Sequence, residues 1–236
     1  MIPPDFRAYA HRGGSREAPE NSLTAFRHAV CVGFLHLETD VRPTRDGVAV
    51  LHHDATLDRT TDGRGPVRDL LWRDLAHVHH SDGTTPLRLE ELLEALPGTH
   101  ITVDAKEEAS VLAIADAVRR TGCHDRICIA SFSPARLARL RALLPGVESG
   151  AHPGEVIRLR AGVGSLPRAS RVQVPARAFG VDLATSSFID RARARGLSVD
   201  VWTVDDPAEM SRLLDLGVDG IMTDSPSILR DVLDNR

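Results

Sequence analysis

Short apolar runs alternate with longer amphipathic stretches along the chain, and this alternation constrains the fold more than any other feature. The runs have the composition of buried strands, and the stretches between them carry apolar residues at helical spacing. Alternating strands and helices are typical of parallel α/β folds. The chain has 236 residues, which fits a single α/β barrel of about 250 residues, and no linker-like segment divides it. We therefore predict one domain over residues 1–236.

Nine runs are candidate strands, one more than a closed eight-stranded barrel needs. They are Arg7–His11, Leu35–Asp40, Val48–His53, Ile101–Lys106, Ile127–Phe132, Glu148–Ala151, Arg171–Val174, Ser198–Val204 and Gly220–Asp224. Because Asp46-Gly47 is a hairpin signature, Val48–His53 either folds back on Leu35–Asp40 or begins a new parallel strand. The sequence leaves both arrangements open.

Helices are predicted between these strands from their caps and apolar periodicity. They are Leu23–Val30 behind an Asn21-Ser22 cap, Leu89–Leu96, Ala109–Arg119, Pro134–Leu144, Phe188–Arg195, Pro207–Leu216 and Ser225–Leu233. The last helix opens with Thr223-Asp224-Ser225-Pro226, where Ser or Asp is predicted to cap the helix. A strand-to-helix turn of this kind can also bind an anion.

The charge balance argues against nucleic acid as a partner. The chain has 29 Lys and Arg against 33 Asp and Glu, whereas a nucleic-acid-binding domain usually carries a basic face. The apolar stretches are far shorter than the roughly 18 residues of a bilayer helix, and Met1–Arg7 lack the apolar core of a signal peptide. We expect a cytoplasmic protein without membrane insertion, whose partner is a small molecule.

Acidic residues follow the early candidate strands at the point where each strand ends. Glu38 and Asp40 are two residues apart, so their side chains point to the same face of a strand, and Asp104 ends another strand. In a parallel barrel the carboxyl ends of the strands form the mouth, where these acids would converge. Three carboxylates without cysteine predict a hard oxygen site for Mg²⁺ or Ca²⁺. The alternative is that Glu38 and Asp40 are ordinary salt-bridge acids at a strand edge.

Histidines lie at the same strand ends and are candidates for moving protons. His11 and His53 titrate near neutrality, so one can donate a proton and the other accept one. His52 is an alternative to His53, because neighbouring residues of a strand point in opposite directions and only one of the two faces the mouth. Eight other histidines are expected to be structural or exposed.

Two cations and one aromatic residue complete the candidate site. Arg12 and Lys106 follow apolar runs, where an unpaired charge is costly, so each needs an anion. They either pair with the neighbouring acids or bind a substrate phosphate, and a guanidinium matches phosphate oxygens well. Trp202 ends an apolar run, where it either packs in the core or lies against the substrate.

These residues resemble the glycerophosphodiester phosphodiesterase family, and the resemblance covers nearly the whole chain. The matching motifs are His11-Arg12-Gly13-Gly14, Pro19-Glu20-Asn21-Ser22, Glu38-Thr39-Asp40-Val41, Thr44-Arg45-Asp46-Gly47, His53-Asp54-Ala55-Thr56-Leu57-Asp58-Arg59-Thr60-Thr61, Asp104-Ala105-Lys106, Ser131-Phe132, Trp202-Thr203-Val204 and Gly217-Val218-Asp219-Gly220-Ile221-Met222-Thr223-Asp224-Ser225-Pro226. The order and joint presence of these pieces make the match specific.

The resemblance implies a TIM (β/α)8 barrel and assigns roles to the candidate residues. It implies a divalent metal held by Glu38, Asp40 and Asp104, and an acid/base pair of His11 and His53, which favours His53 over His52. It also implies that Arg12 and Lys106 face the phosphate.

The chain departs from the family pattern at several places. Asp104 stands where the family usually has Glu, so this metal ligand is one methylene shorter. Asp205 follows Trp-Thr-Val where Asn is usual, and Ser22 replaces Thr, but neither change touches the chemistry assigned here. A short insertion over about residues 62–86 is expected near the barrel mouth, and it is nearly free of aromatic residues.

The resemblance implies metal-dependent hydrolysis of glycerophosphodiesters to glycerol 3-phosphate and an alcohol. One alternative is an internal transfer in which a substrate hydroxyl attacks phosphorus and gives a cyclic phosphate, as in related phospholipase D toxins. Another is a non-catalytic module that binds phosphodiesters. The joint presence of both histidines, the three acids and both cations favours an enzyme.

Overall fold

The alternation in the sequence becomes an alternation of strands and helices in the computed structural model, which describes residues 2, 5–164, 169–178 and 180–236. The strands are β1 Arg7–Ala10, β2 His36–Pro43, β3 Ala49–Leu51, β4 His100–Ala105, β5 Ile127–Ala130, β6 Glu148–Ser149, β7 Arg171–Pro175, β8 Arg177–Ala178, β9 Val181–Asp182, β10 Ser198–Trp202 and β11 Gly220–Thr223. All nine predicted strands are present, with ends that shift by a few residues.

Eight parallel strands form a nearly closed barrel in a single domain, as predicted. They are hydrogen-bonded in the order β6, β5, β4, β2, β1, β11, β10, β7. The two outer strands of this order meet through a parallel bridge between Gly150 and Arg171. Backbone hydrogen bonds from Ser170 N to Ser149 O (2.9 Å) and from Ala151 N to Arg171 O (3.0 Å) also join them. The closure brings the carboxyl ends of distant strands to one mouth.

The ninth predicted strand folds back as a hairpin. β3 pairs antiparallel with β2, and Val41 lies opposite Leu51. At the turn, Thr44 Oγ1 donates to Asp46 at 2.6 Å and Gly47 has a φ of 82°, a conformation that glycine adopts without strain. Of the two arrangements that the sequence allowed, the hairpin is therefore correct.

Helices lie between the strands and cover the outside of the barrel. They are α1 Leu23–Val32, α2 Trp72–Leu75, α3 Leu89–Ala95, α4 Ser110–Thr121, α5 Pro134–Leu143, α6 Pro153–Ala161, α7 Ser186–Arg193, α8 Pro207–Leu216 and α9 Pro226–Asp234. In α1 the Ser22 side chain accepts from Ala25 N at 3.1 Å, and Phe26 and Ala29 are fully buried against the barrel. No helix within the described residues is long and apolar enough to cross a membrane.

Helix α6 was not predicted from the sequence. It begins at Pro153-Gly154, a dipeptide that usually indicates a turn. The helix forms because His152 caps it: His152 Nδ1 accepts from Gly154 N at 3.1 Å, and Glu155 accepts from His152 N at 3.0 Å. The capping box offsets the cost of the glycine in the first turn.

The segment between β3 and α3 has a small core of its own. Val67, Leu75 and Val78 pack together with Leu57 and with Val50 of the β3 strand. The predicted insertion over about residues 62–86 falls within this segment.

A hydrogen-bonded polar network fills the barrel at the amino ends of the strands. Asp200 on β10 is fully buried and accepts from Arg7 Nη2 at 2.7 Å and from the Tyr9 hydroxyl at 3.0 Å. Arg171 donates to the same hydroxyl at 2.6 Å and pairs with Glu148. The network crosses from β1 to β7 and β6, so it ties several strands together far from the mouth.

His36 lies beside this network at the start of β2. Its ring stacks on that of His100 at 5.2 Å between centroids. Burial, followed by the neighbouring His100, Arg7 and Arg171, lowers the pKa of His36 to about 3. His36 is therefore neutral in the folded protein throughout the physiological range.

Candidate active site

A tight turn after β1 brings His11 and Arg12 to the barrel mouth. Arg12 has a φ of 51° and Gly13 a φ of 85°. A Cβ atom on Gly13 would lie 2.7 Å from the Cβ of Ala25, so only glycine fits between this turn and α1. A non-glycine residue at positive φ stores strain, commonly about 1–3 kcal/mol, and such residues cluster at functional sites.

The His11 imidazole is held between two acids. Its Nδ1 lies 2.7 Å from Asp224 Oδ1, and its Nε2 lies 3.8 Å from Glu38 Oε2. An ionised carboxylate only accepts hydrogen bonds, so Nδ1 carries the proton and Nε2 is the nitrogen that faces the mouth. Burial alone would lower the pKa of His11, but the hydrogen bond to Asp224 and the charge of Glu38 raise it above its ordinary value.

Asp224 is itself held in place by Asp205. One oxygen of Asp205 accepts from the Asp224 backbone N–H at 2.8 Å and from the Thr223 hydroxyl at 2.9 Å. The other Asp205 oxygen lies 3.3 Å from Arg16 Nη2. The residue that replaces the usual Asn of the family is therefore one step removed from His11, where it fixes the end of β11.

His53 has a carboxylate partner of the same kind. Its Nδ1 lies 2.7 Å from Asp54 Oδ1, and Asp54 Oδ2 accepts from Arg59 Nε at 2.6 Å. Arg59 also donates two hydrogen bonds to Glu20, at 2.7 and 2.8 Å. The hydrogen bond from Arg59 holds the pKa of Asp54 well below its usual range. The His53 side chain remains one-third exposed.

His52 occupies a different environment from His53. It is 3% exposed, and its Nε2 lies 2.9 Å from the Thr56 carbonyl oxygen. Burial is the main cause of a lowered His52 pKa. Thus His52 packs beneath the segment after β3, while His53 stays accessible and hydrogen-bonded to an acid.

The three predicted acids lie buried on two neighbouring strands. Asp40 on β2 is in register with Asp104 on β4, and the exposed fractions of Glu38, Asp40 and Asp104 are 6%, 1% and 6%. Lys106 Nζ lies 2.7 Å from Asp40 Oδ1 and 2.6 Å from Asp104 Oδ2. Arg12 Nε lies 3.1 Å from Asp40 Oδ2. Both predicted phosphate-facing cations are therefore paired with acids of the cluster.

The acids differ in how readily they ionise. Burial, with the adjacent charge of Asp40, raises the pKa of Glu38 to about 7. Burial also raises the pKa of Asp104 despite the opposing effect of Lys106. Burial alone would raise the pKa of Asp40, but the charges of Lys106 and Arg12 outweigh it and lower that pKa. Lys106 and Arg12 thus stabilise the charged form of Asp40, but their positive charge does not outweigh the effect of burial on Glu38 and Asp104.

The donor chemistry of this cluster fits a hard divalent cation. Within the described residues, no three histidine, cysteine or acidic side chains stand in a metal-holding arrangement, and Lys106 bridges Asp40 and Asp104. Two observations fit an additional cation all the same. Asp104 Oδ1 is buried without a hydrogen-bond partner among the described residues, and Glu38 has a raised pKa that nearby positive charge would lower.

Trp202 ends β10 at the mouth, where it is partly exposed. Its ring meets the ring of Phe132 edge-on, at 5.9 Å between centroids and an angle of 78°. Phe132 follows β5 and is 59% exposed. Trp202 is therefore not a core residue, and it shares the mouth with an aromatic residue to which the sequence assigned no role.

Sequence reasoning missed the carboxylates behind the two histidines. Asp224 was predicted as a possible cap of the last helix, but the N-cap position is Ser225, without a side-chain cap bond, and the Asp224 side chain accepts from His11 instead. The missed signal is the closure of the barrel: β1 and β11 are adjacent, and Ala10 is in register with Thr223. His11 is the residue that follows β1, and Asp224 is the residue that follows β11.

Known proteins are similar to this chain in sequence and in fold. Residues 11–228 match the glycerophosphoryl diester phosphodiesterase family. A "probable glycerophosphodiester phosphodiesterase 2" of Mycobacterium tuberculosis is 40% identical over 96% of this chain and 90% of its own length. The crystal structure of a glycerophosphodiester phosphodiesterase from Agrobacterium tumefaciens is 29% identical, with a TM-score of 0.84 over 97% of this chain and 99% of that one.

A further solved structure shares the fold. An Oleispira antarctica phosphodiesterase, determined in complex with the product sn-glycerol-3-phosphate, has a TM-score of 0.83 over 97% of this chain and 96% of that one, at 23% identity. The family match spans nearly the whole barrel, from residue 11 to residue 228. The chain therefore belongs to the glycerophosphoryl diester phosphodiesterase family.

Proposed function

We propose that this chain hydrolyses glycerophosphodiesters to glycerol 3-phosphate and an alcohol. The observation that carries the proposal is the pair of carboxylate-backed histidines beside a buried cluster of acids and cations. Each imidazole has its Nδ1 2.7 Å from a carboxylate oxygen, which leaves each Nε2 free to exchange a proton with substrate or water. An oxygen nucleophile and an oxygen leaving group need two such proton movers.

Arg12 and Lys106 are the groups that bind the phosphoryl oxygens. Both side chains lie at the mouth and are less than one-fifth exposed, so their charge is weakly screened there. An incoming phosphate would share these cations with Asp40 and stabilise the substrate in the cleft. As negative charge develops on the phosphoryl oxygens in the transition state, the same cations stabilise that charge and lower the activation barrier of the reaction.

Glu38, Asp40 and Asp104 are the residues that would hold a divalent cation, Mg²⁺ or Ca²⁺. When bound, such an ion polarises the phosphoryl group and lowers the pKa of an attacking hydroxyl or water. The raised pKa of Glu38 and the Asp104 oxygen that has no partner within the described part of the chain support this assignment.

The experiment is a screen of soluble glycerophosphodiesters, read by release of glycerol 3-phosphate with and without EDTA. Glycerol 3-phosphate and a free alcohol, formed only when a divalent cation is present, are the expected products. Phosphorus NMR separates this outcome from the internal transfer, which gives a cyclic phosphate. Calorimetric binding of a diester with turnover of none would identify a binding module instead.

A further inference from the structure

Arginine is distributed unevenly along this acidic chain. Residues 155–195 contain 8 arginines but only 3 acidic residues, whereas the whole chain has 29 Lys and Arg against 33 Asp and Glu. This stretch includes helices α6 and α7 and the short strands β8 and β9. The net charge of the chain therefore conceals a basic region, and such a charge asymmetry points to an anionic partner for that region.

Arginines of the two helices meet on the outside of the barrel. Arg191 of α7 donates to the carbonyl oxygen of Arg160 near the end of α6, and Arg195 Nη2 lies 3.4 Å from the Gly162 carbonyl oxygen. Arg160 Nη1 donates to the Asp182 carbonyl oxygen of β9 at 3.0 Å. These contacts join α6, α7 and β9 into one continuous surface, which we call the α6–α7 surface.

Most of the positive charge on the α6–α7 surface is not paired with carboxylates. Arg177 pairs with Asp182 at 2.9 Å and Arg193 with Asp219 at 3.5 Å. Even with the exposed Asp190 of α7 counted, the arginines outnumber the acids two to one. Four arginines have no carboxylate oxygen within 4 Å among the described residues, namely Arg158, Arg160, Arg191 and Arg195.

Exposed aliphatic side chains lie among these arginines. Ile157 of α6 is 68% exposed, the largest fraction among the exposed large hydrophobic side chains of the described residues. Val163, just after α6, is 57% exposed, and Val181 of β9 is 48% exposed. Leu159 is buried in the core, so Ile157, two residues before it on the helix, points away from the barrel. Aliphatic groups beside unpaired guanidinium groups fit a partner that offers both anions and an apolar layer.

We propose that the α6–α7 surface docks on an anionic lipid bilayer. Its arginines bind headgroup phosphates, which a guanidinium matches in bidentate fashion, and Ile157 and Val163 enter the boundary between headgroups and acyl chains. Proteins that lie on a membrane without crossing it combine basic and apolar residues in this way. Nucleic acid would use the arginines alone. Single strands are usually held by aromatic rings that stack on bases, whereas the exposed apolar side chains of this surface in the described residues are all aliphatic.

The test is binding to vesicles of phosphatidylcholine alone and of phosphatidylcholine with one-quarter phosphatidylglycerol, measured by sedimentation. The wild type should bind the anionic vesicles, bind the neutral ones weakly, and dissociate as salt is raised. Arg158→Gln/Arg160→Gln should lower the partition coefficient for the anionic vesicles roughly thirtyfold, from about fivefold for each lost charge. The matched control is Arg64→Gln/Arg73→Gln, which changes the net charge equally at exposed arginines elsewhere and should leave binding nearly unchanged.

Ile157→Ser tests the apolar contribution, with Leu112→Ser on α4 as its control, since Leu112 is 53% exposed away from this surface. Binding of the Ile157 variant should fall by about fourfold for each side-chain carbon that enters the acyl boundary. The Leu112 control should bind like the wild type. Arg158→Gln alone, at an exposed side chain, replaces the double arginine variant if the latter does not fold.

The proposal is overturned if the wild type does not prefer anionic over neutral vesicles, or if the Arg158/Arg160 variant loses no more binding than its control. Tighter binding to a DNA duplex than to anionic vesicles, with no effect of Ile157→Ser, also overturns it and identifies nucleic acid as the partner. None of these residues lies in the candidate active site, so vesicle binding is measured independently of the proposed function. Turnover of soluble diesters should be the same in every variant.

Discussion

Asp200 is expected to control the stability of the barrel without controlling turnover. It is fully buried and accepts from Arg7 Nε at 3.1 Å, Arg7 Nη2 at 2.7 Å and the Tyr9 hydroxyl at 3.0 Å. Asp200→Ala leaves a guanidinium and a phenol without their acceptor. Removing one partner of a buried ion pair costs about 3–5 kcal/mol, and the 18% exposure of the Arg7 side chain lets water reach it, which favours the lower value.

A loss of about 3 kcal/mol should lower the melting temperature of a chain of this size by roughly 6–12 °C. The assay is thermal unfolding followed by circular dichroism, together with kcat at 25 °C, where the variant remains folded. kcat should stay close to the wild-type value, because Asp200 lies at the amino end of the barrel. Asp200→Asn keeps one acceptor oxygen and should show a smaller shift.

The matched change at the other end of the barrel is Asp224→Asn. It preserves the shape of the side chain but removes the carboxylate that holds the proton on His11 Nδ1, so kcat should fall by roughly 10²-fold while the melting temperature changes little. The reasoning is refuted if Asp200→Ala loses activity at an unchanged melting temperature, or if Asp224→Asn unfolds early and keeps its kcat.

The remaining expectations concern the metal, the catalytic histidines and the stability of the protein at low pH. EDTA should abolish activity and Mg²⁺ or Ca²⁺ restore it, with Asp104→Glu far more active than Asp104→Ala; full turnover of a metal-free sample contradicts the site. His11→Ala and His53→Ala should each lower kcat by roughly 10²-fold or more, whereas buried His52→Ala should mainly lower stability; the reverse pattern at His52 and His53 would reverse their roles. His36 has a pKa lowered to about 3 from 6.5, so the unfolded chain alone takes up a proton as the pH falls below 6.5. Urea unfolding should therefore show the wild type losing about 2 kcal/mol more than His36→Asn between pH 7 and pH 5, and equal losses would contradict this.

The barrel could be predicted from the sequence because each strand and helix is locally consistent. All nine predicted strands are present, and the structure shows that Val48–His53 forms the hairpin rather than a new parallel strand. The short strands β8 and β9 and the short helix α2 were not predicted. Helix α6 escaped prediction because its first turn contains Pro153-Gly154, and the cap that stabilises it uses a histidine, which is an uncommon capping residue. Local propensity fails where a specific side chain overrides it.

From the sequence, the residues of the site could be predicted where they lie at the ends of strands, but the contacts between them could not. Glu38, Asp40 and Asp104 follow apolar runs, so the position of each was visible in the sequence. Which side chain touches which was not, because the answer depends on the register around the barrel. Asp224 faces His11 only because the last strand closes on the first, and the Phe132 ring meets Trp202 only across two intervening strands.

The polar side chains inside the barrel differ between the amino ends of the strands and the mouth. The chain has six Phe, two Trp and one Tyr, so few bulky apolar rings are available to fill the space inside the strands. At the amino end the space is filled by long polar side chains that bind one another, such as Arg171 with Tyr9, and both oxygens of the buried Asp200 accept hydrogen bonds. At the mouth, the buried Asp104 Oδ1 has no hydrogen-bond partner among the described residues. A carboxylate with both oxygens paired stabilises the fold, whereas one with an unpaired oxygen remains able to bind a cation, and this difference distinguishes Asp200 from Asp104.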